Sequence, residues 1–173
     1  MNNLSKALFA LLFLVWVPFA FAFTIEVSEA ELQQKLSAAM PFEMKKYLVT
    51  VILSDPKIEL GTDVSEVHVI SDVDVIVPGG KGGAGRLKIK GPIFYDASLG
   101  SFFLKHPVVE ELAIDKLPAA YSNAADLIVQ ALVTKTMAKY PFYTLNGDSF
   151  KSGLAKVFLK SVSIENSKLI LQF

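Results

Sequence analysis

The residues able to do chemistry are few and scattered. Gly80-Lys81-Gly82-Gly83-Ala84-Gly85 fits the spacing G-x-G-x-x-G, in which glycines let a backbone approach a pyrophosphate held at a helix N-terminus. That chemistry needs a strand before the motif and a helix after it. Here Arg86–Lys90 alternates like another strand, so the run reads as a hairpin connection. It is not a Walker A loop either, because Val75 stands where the first glycine belongs. His68 shares a strand face with Glu66 and Asp72, a set that can ligate a metal. The same three residues are already explained as the wet face of an alternating strand. Glu110 and Glu111 are adjacent, so on a regular strand they point apart and share a site only across a bulge. His106 has no partner at motif spacing. Gly100-Ser101-Phe102 does not complete a nucleophile elbow, and no H-E-x-x-H occurs. No catalytic set, metal site or cofactor site is expected, and the chain reads as non-enzymatic.

Composition narrows the class further. The chain has 173 residues and no cysteine, which excludes disulfides, thiolate chemistry and cysteine-type zinc sites. Met1–Ala22 has Lys6, then an apolar run from Ala7 to Val17, then Ala20-Phe21-Ala22. That is the plan of a secretory leader, and cleavage is expected after Ala22. The apolar run is shorter than the ~20 residues of a membrane span. One domain is expected over residues 23–173. Lys+Arg and Asp+Glu are both 17 in the full chain. Near-neutral balance argues against a nucleic-acid partner, which needs a basic patch.

The elements that must position any site are mostly strands. Ser28-Glu29-Ala30-Glu31 is a capping box opening a short helix over about Glu29–Ala39, with Val27 and Leu32 as a staple. Strands are expected over Lys46–Leu53, Lys57–Leu60, Val64–Val77, Arg86–Tyr95, Ser101–Lys105 and Val108–Ile114. In the clearest of them Val67, Val69, Val73, Val75 and Val77 share one face, and only Ser71 interrupts it. Leu117–Lys139 reads as one long helix of about 35 Å. Its apolar stripe is Leu117, Tyr121, Ala124, Ile128, Ala131, Leu132 and Met137. A hairpin around Glu165-Asn166-Ser167 closes the chain. Short connections between consecutive strands give an antiparallel sheet. The expected class is α+β: a strongly curved antiparallel sheet wrapped around one long α-helix, plus the short N-terminal helix.

Several stretches, in this order and spacing, resemble the YceB-like periplasmic lipoprotein family. They are VSEAELQQKL at Val27–Leu36, Met40-Pro41-Phe42, LSDPKIELG at Leu53–Gly61, YDASLGSFFL at Tyr95–Leu104 and PFYTLNGD at Pro141–Asp148. The resemblance implies a tubular lipid-binding fold with an apolar channel and a bacterial envelope location. The family's acylated N-terminal cysteine has no counterpart here, so a free periplasmic protein without a lipid anchor is expected.

The leading expectation is therefore a protein that binds a lipid or other long apolar molecule between helix and sheet. Leu127, Ile128, Ala131 and Leu132 would line one wall. Val73, Val75, Leu87, Ile89, Phe102 and Leu104 would line the other. The alternative is an envelope interaction module with a solid core, docking a protein through a sheet edge or the Phe94 and Phe103 face. Transient contact with an envelope membrane is compatible with either.

Overall fold

The structure is a computed structural model that describes residues 23–61, 66–145 and 159–173. The expected leader at 1–22 lies outside the described residues.

The chain opens with β1 (Thr24–Ser28), which runs directly into α1 (Glu29–Ala39). Ser28 ends the strand and caps the helix, its Oγ accepting the Glu31 N–H at 3.2 Å. Val27 and Leu32 bracket this cap without accessible surface, as a hydrophobic staple does. The second half of the capping box is not used as expected, because the Glu31 carboxylate takes the Tyr143 hydroxyl instead. At the far end of the chain β9 (Ser161–Glu165) and β10 (Lys168–Gln172) form the expected hairpin. β1 joins it in a three-stranded sheet of order β1-β10-β9. Phe23 and Phe173 stack at 4.6 Å to close that sheet.

The larger sheet holds β2 (Phe42–Lys46), β3 (Val49–Leu60), β4 (Glu66–Val77), β5 (Gly80–Asp96), β6 (Ser101–Leu104), β7 (Val108–Asp115) and β8 (Tyr143–Thr144). Its order is β2-β3-β4-β5-β6-β8, with β7 also on β5. β6 pairs with residues 93–96 of β5 and β7 with residues 84–90, so the two follow one another along the same edge. Every pairing is antiparallel. Bulges interrupt the ladder at Ser54/Lys57, Val75/Ile76 and Lys88/Ile89. A bulge bends its strand and increases the local twist, and three of them in neighbouring strands curl the sheet into a half-barrel.

The first bulge falls on Asp55-Pro56, the pair expected to break the strand. The strand bends there rather than ending. Proline has no N–H to give the ladder, and Asp55 sits at φ 47°. The Gln33 side chain of α1 repairs the gap. Its amide nitrogen donates to the Pro56 carbonyl, and its oxygen accepts the Ile58 N–H at 2.9 Å. From β4, the buried Ser71 hydroxyl donates to the Ser54 carbonyl at 2.8 Å. The one polar interruption in the valine face is thus a third fastening of the same bulge.

The expected class is corrected by the helical content. Of the described residues 56% are strand and 24% helical, so the fold is mostly β, and no long helix is wrapped by the sheet. In place of one helix over Leu117–Lys139, α2 covers only Ala119–Ala131. A π turn follows at Leu132–Thr136, then a 3-10 turn at Met137–Lys139. The physical reason lies in the residues there. Val129, Val133, Thr134 and Thr136 are β-branched and stiff in a helix. The Thr134 hydroxyl donates to the Gln130 carbonyl at 2.7 Å, a local bond that competes with regular helical pairing.

The bulge repair makes a direct test. Gln33→Met keeps the side-chain length but leaves the Pro56 carbonyl and the Ile58 N–H without their partner. Urea denaturation is expected to show a loss of about 2 kcal/mol, the usual cost of such stranded groups. Gln34→Met, on the exposed side of α1, is expected to change the midpoint little. Equal effects from the two would contradict the repair.

Candidate functional site

The residues expected to line a channel are, with two exceptions, buried together. Ile128, Leu132, Val73, Val75, Leu87, Ile89 and Phe102 have at most 1% accessible surface, and Leu104 has 5%. A side chain with no accessible surface touches neither solvent nor any void a water could enter. Ala131 is half-buried, and Leu127 is 60% exposed, so Leu127 lines nothing. Successive helical residues lie about 100° apart. The buried stripe is Ala125, Ile128, Val129, Leu132, Val133 and Met137, which is rotated away from Leu127. The stripe continues through the π turn to Met137 in the 3-10 turn.

A small apolar pocket lies between Leu36, Phe42, Val67, Leu104, Met137 and Phe142, with a volume of about 10 Å³. That is the room of about one water. Phe102 fills the space beside it, in ring contact with Tyr95 at 4.7 Å and Tyr143 at 6.1 Å. Tyr143 reaches from β8 to Glu31 on α1. Burial, then the Glu31 charge and hydrogen bond, push its hydroxyl up to about 12.

A cleft of ligand size lies elsewhere, on the outer side of β5 and β6. It holds about 420 Å³ and is lined by Phe94, Phe103, Leu104, Lys105, His106 and Thr134, together with Asp96 and Ala138. Phe94 and Phe103 are cross-strand partners, and their rings face outward because Tyr95 and Phe102 face in. Lys105 leaves β6 at its end and places its Nζ 5.7 Å from the Phe94 ring centroid. His106 turns the chain at φ 47° toward β7. Asp96 is engaged in its own turn, where one Oδ accepts from Ser98 N, Ser98 Oγ and Leu99 N. The Ser98 hydroxyl above all holds the carboxyl below the usual carboxylate range, against a smaller opposing effect of burial. Among the described ion pairs none engages Lys105. The cleft is therefore aromatic on its floor and cationic at one rim. The exposed aromatic pair was readable from strand alternation. Lys105, His106, Thr134 and Ala138 were not, because only tertiary packing brings them together.

The residues with metal-like spacing do something else. His68 Nδ1 lies 3.2 Å from Glu110 Oε2, which also receives Lys88 Nζ at 3.3 Å. Lys90 Nζ lies 3.6 Å from Glu66. The bulge at Lys88/Ile89 sits at Glu110, so Glu110 and Glu111 are both exposed instead of pointing apart. Partial burial raises the Glu110 carboxyl, but Lys88 and His68 outweigh it and hold it below the usual range. Among the described residues no three metal-ligating side chains lie together. The glycine run is not a loop but the start of β5. A Cβ on Gly85 would lie 1.7 Å from the Ala113 carbonyl oxygen, so glycine is there to let β5 and β7 touch.

Fold and surface together define a mostly β half-barrel with a buried apolar core and an outer aromatic cleft. Residues 27–168 match the family described as "Protein of unknown function (DUF1439)", and the chain belongs to that family. Comparison with curated proteins finds no match.

The Tyr143 contact predicts an alkaline transition. With a folded value near 12 against the ordinary 10, its contribution is intact below about pH 10 and is lost as pH rises toward 12. Tyrosinate absorbance is expected to show a late step that Tyr143→Phe removes. Urea melts of that variant should lose part of the stability decline over the same range. A late step that persists in Tyr143→Phe would rule out the raised Tyr143 value.

Proposed function

We propose that the chain is a non-enzymatic protein of the bacterial envelope, exported to the periplasm, that works as a protein-interaction module with a solid core. The YceB-like resemblance of its motifs and the leader-like pattern of residues 1–22 support the envelope location. One observation carries the choice of module over lipid carrier. The two walls that would face an acyl chain are packed against each other. Small-molecule sites run to about 300–1,000 Å³, whereas eight of the ten residues of those walls have at most 5% accessible surface. A lipid between helix and sheet would have to part Ile128 and Leu132 from the facing valines.

The docking surface is the Phe94–Phe103 cleft. Its volume is in the range of a binding site, but it is open to solvent along one side. That suits a short protein segment whose other face stays wet better than a lipid that needs most of its surface covered. Lys105 supplies an ammonium without a carboxylate partner among the described residues, beside two aromatic rings. The complementary segment carries an apolar side chain next to a carboxylate.

A photoreactive phenylalanine analogue at Phe94 tests this in cells. The expected result is one discrete protein adduct that Lys105→Glu reduces at least tenfold, with no such adduct from the same analogue at exposed Leu127. Adducts to lipid alone, or a protein adduct indifferent to Lys105→Glu, would overturn the reading. In the same protein, a fluorescent fatty acid is expected to show no saturable uptake.

A further inference from the structure

The other end of the half-barrel holds a second feature, independent of the cleft. β2 and β3 are joined by a two-residue turn, Tyr47-Leu48, with Lys46 paired to Val49 across it. Tyr47 is 83% exposed and Leu48 66%, the two most exposed large hydrophobic side chains among the described residues. They sit at the tip of a hairpin, where no element among the described residues covers them. Tyr47 takes φ 56° there, a left-handed turn conformation that bulky aromatic residues seldom adopt. Lys45 and Lys46 flank the pair, both exposed. Among the described ion pairs neither has a carboxylate partner, and Lys46 Nζ lies 5.6 Å from the Tyr47 ring centroid. The ladder sets exposed Ile76 opposite Thr50, one strand in from the tip, and the exposed Pro78-Gly79 turn at the same end.

From these we infer that the Tyr47-Leu48 hairpin docks the protein on an anionic lipid surface. Tyrosine has an apolar ring and a polar tip, the combination that settles at a membrane–water boundary. Leucine supplies an apolar tip to enter the acyl region. Lysines bury their stems while their ammonium groups stay with the lipid phosphates. The shape decides between a membrane and a protein partner. The tip is convex, so a protein would need a matching pit, whereas a fluid lipid layer needs none. Overall charge balance does not oppose this, because the two lysines act within a Debye length of the surface. The acids nearest the tip are Glu43 on β2 and Asp74 on β4, with Asp115 of β7 further along the same ladder row.

The placement of the two surfaces fits together. β5 starts beside the hairpin end and spans roughly 45 Å from Gly80 to Phe94. A protein resting on the membrane through Tyr47 and Leu48 holds the Phe94–Phe103 cleft out in the aqueous phase. Binding at the cleft and docking at the tip can fail separately, so the two proposals are distinguishable.

The absence of cysteine allows a clean test. The full chain, as the cell processes it, is labelled with an environment-sensitive fluorophore at Leu48→Cys or, as control, at Leu99→Cys. Leu99 is an exposed leucine in the β5–β6 turn at the opposite end. Vesicles of phosphatidylethanolamine with about one-third phosphatidylglycerol are expected to shift the emission to the blue at position 48 and not at 99. Phosphatidylcholine vesicles should require about tenfold more lipid for the same shift, and Lys45→Glu/Lys46→Glu should abolish that preference. Equal shifts at both positions, a shift indifferent to lipid charge, or no shift at 48 would each overturn the inference. Every substituted side chain is exposed, so loss of folding is not the expected outcome.

Discussion

The structure depends on how β3 survives Asp55-Pro56. A proline inside a strand removes a ladder hydrogen bond and strands the groups around it. Here two side chains from outside the strand repair the gap with three hydrogen bonds. Gln33 of α1 bonds the Pro56 carbonyl and the Ile58 N–H, and Ser71 of β4 bonds the Ser54 carbonyl. The bend can then persist without a buried unsatisfied group, and among the described residues no buried side-chain nitrogen or oxygen lacks a partner. The same contacts dock α1 on the large sheet. Because α1 follows β1 directly, they also tie the small β1-β10-β9 sheet to the large one.

Curvature then determines what the interior can be. A half-barrel of this size has a concave face that must be filled. Among the described residues the segment Ala119 to Lys139 fills much of it, beside Leu32 and Leu36 of α1. α2 supplies Ala125, Ile128 and Val129, and the π and 3-10 turns re-aim Leu132, Val133 and Met137 onto the same face. Burying six apolar side chains at roughly 1.5–3 kcal/mol for each large one stabilises an irregular segment that helix propensity alone would not hold. A protein stabilised in this way has little reason to part those side chains for a ligand. On the outer face Phe94 and Lys105 are exposed and Phe103 is half-buried.

Much of this was legible in the residues. The Ser28 cap located the start of α1 at Glu29, and proline located its end. The period-two pattern of β4 placed Val67, Val69, Val73 and Val75 inside. The misreadings share one cause, which is that periodicity reports burial but not geometry. An apolar residue every three or four positions continues through Leu132–Lys139 whether the backbone is α, π or 3-10, so the long helix was overextended. Leu127 neighbours Ile128 in sequence but lies a quarter-turn away from the core. β1 was missed because its partner, β10, lies at the opposite end of the chain. The cleft was half legible. Phe94 and Phe103 could be placed on the outer face, but the approach of Thr134 and Ala138 is a property of packing.

The central claim is that the space between helix and sheet is full, and xenon tests it most directly. Xenon enters apolar voids of ligand size and leaves a packed core undisturbed. With methyl groups of Ile128, Leu132, Val73, Val75, Leu87 and Ile89 observed by NMR, xenon pressure is expected to give only small, linear, non-saturating shifts. Saturable shifts confined to those six residues would reveal an occupiable void between helix and sheet, and would contradict the solid-core account.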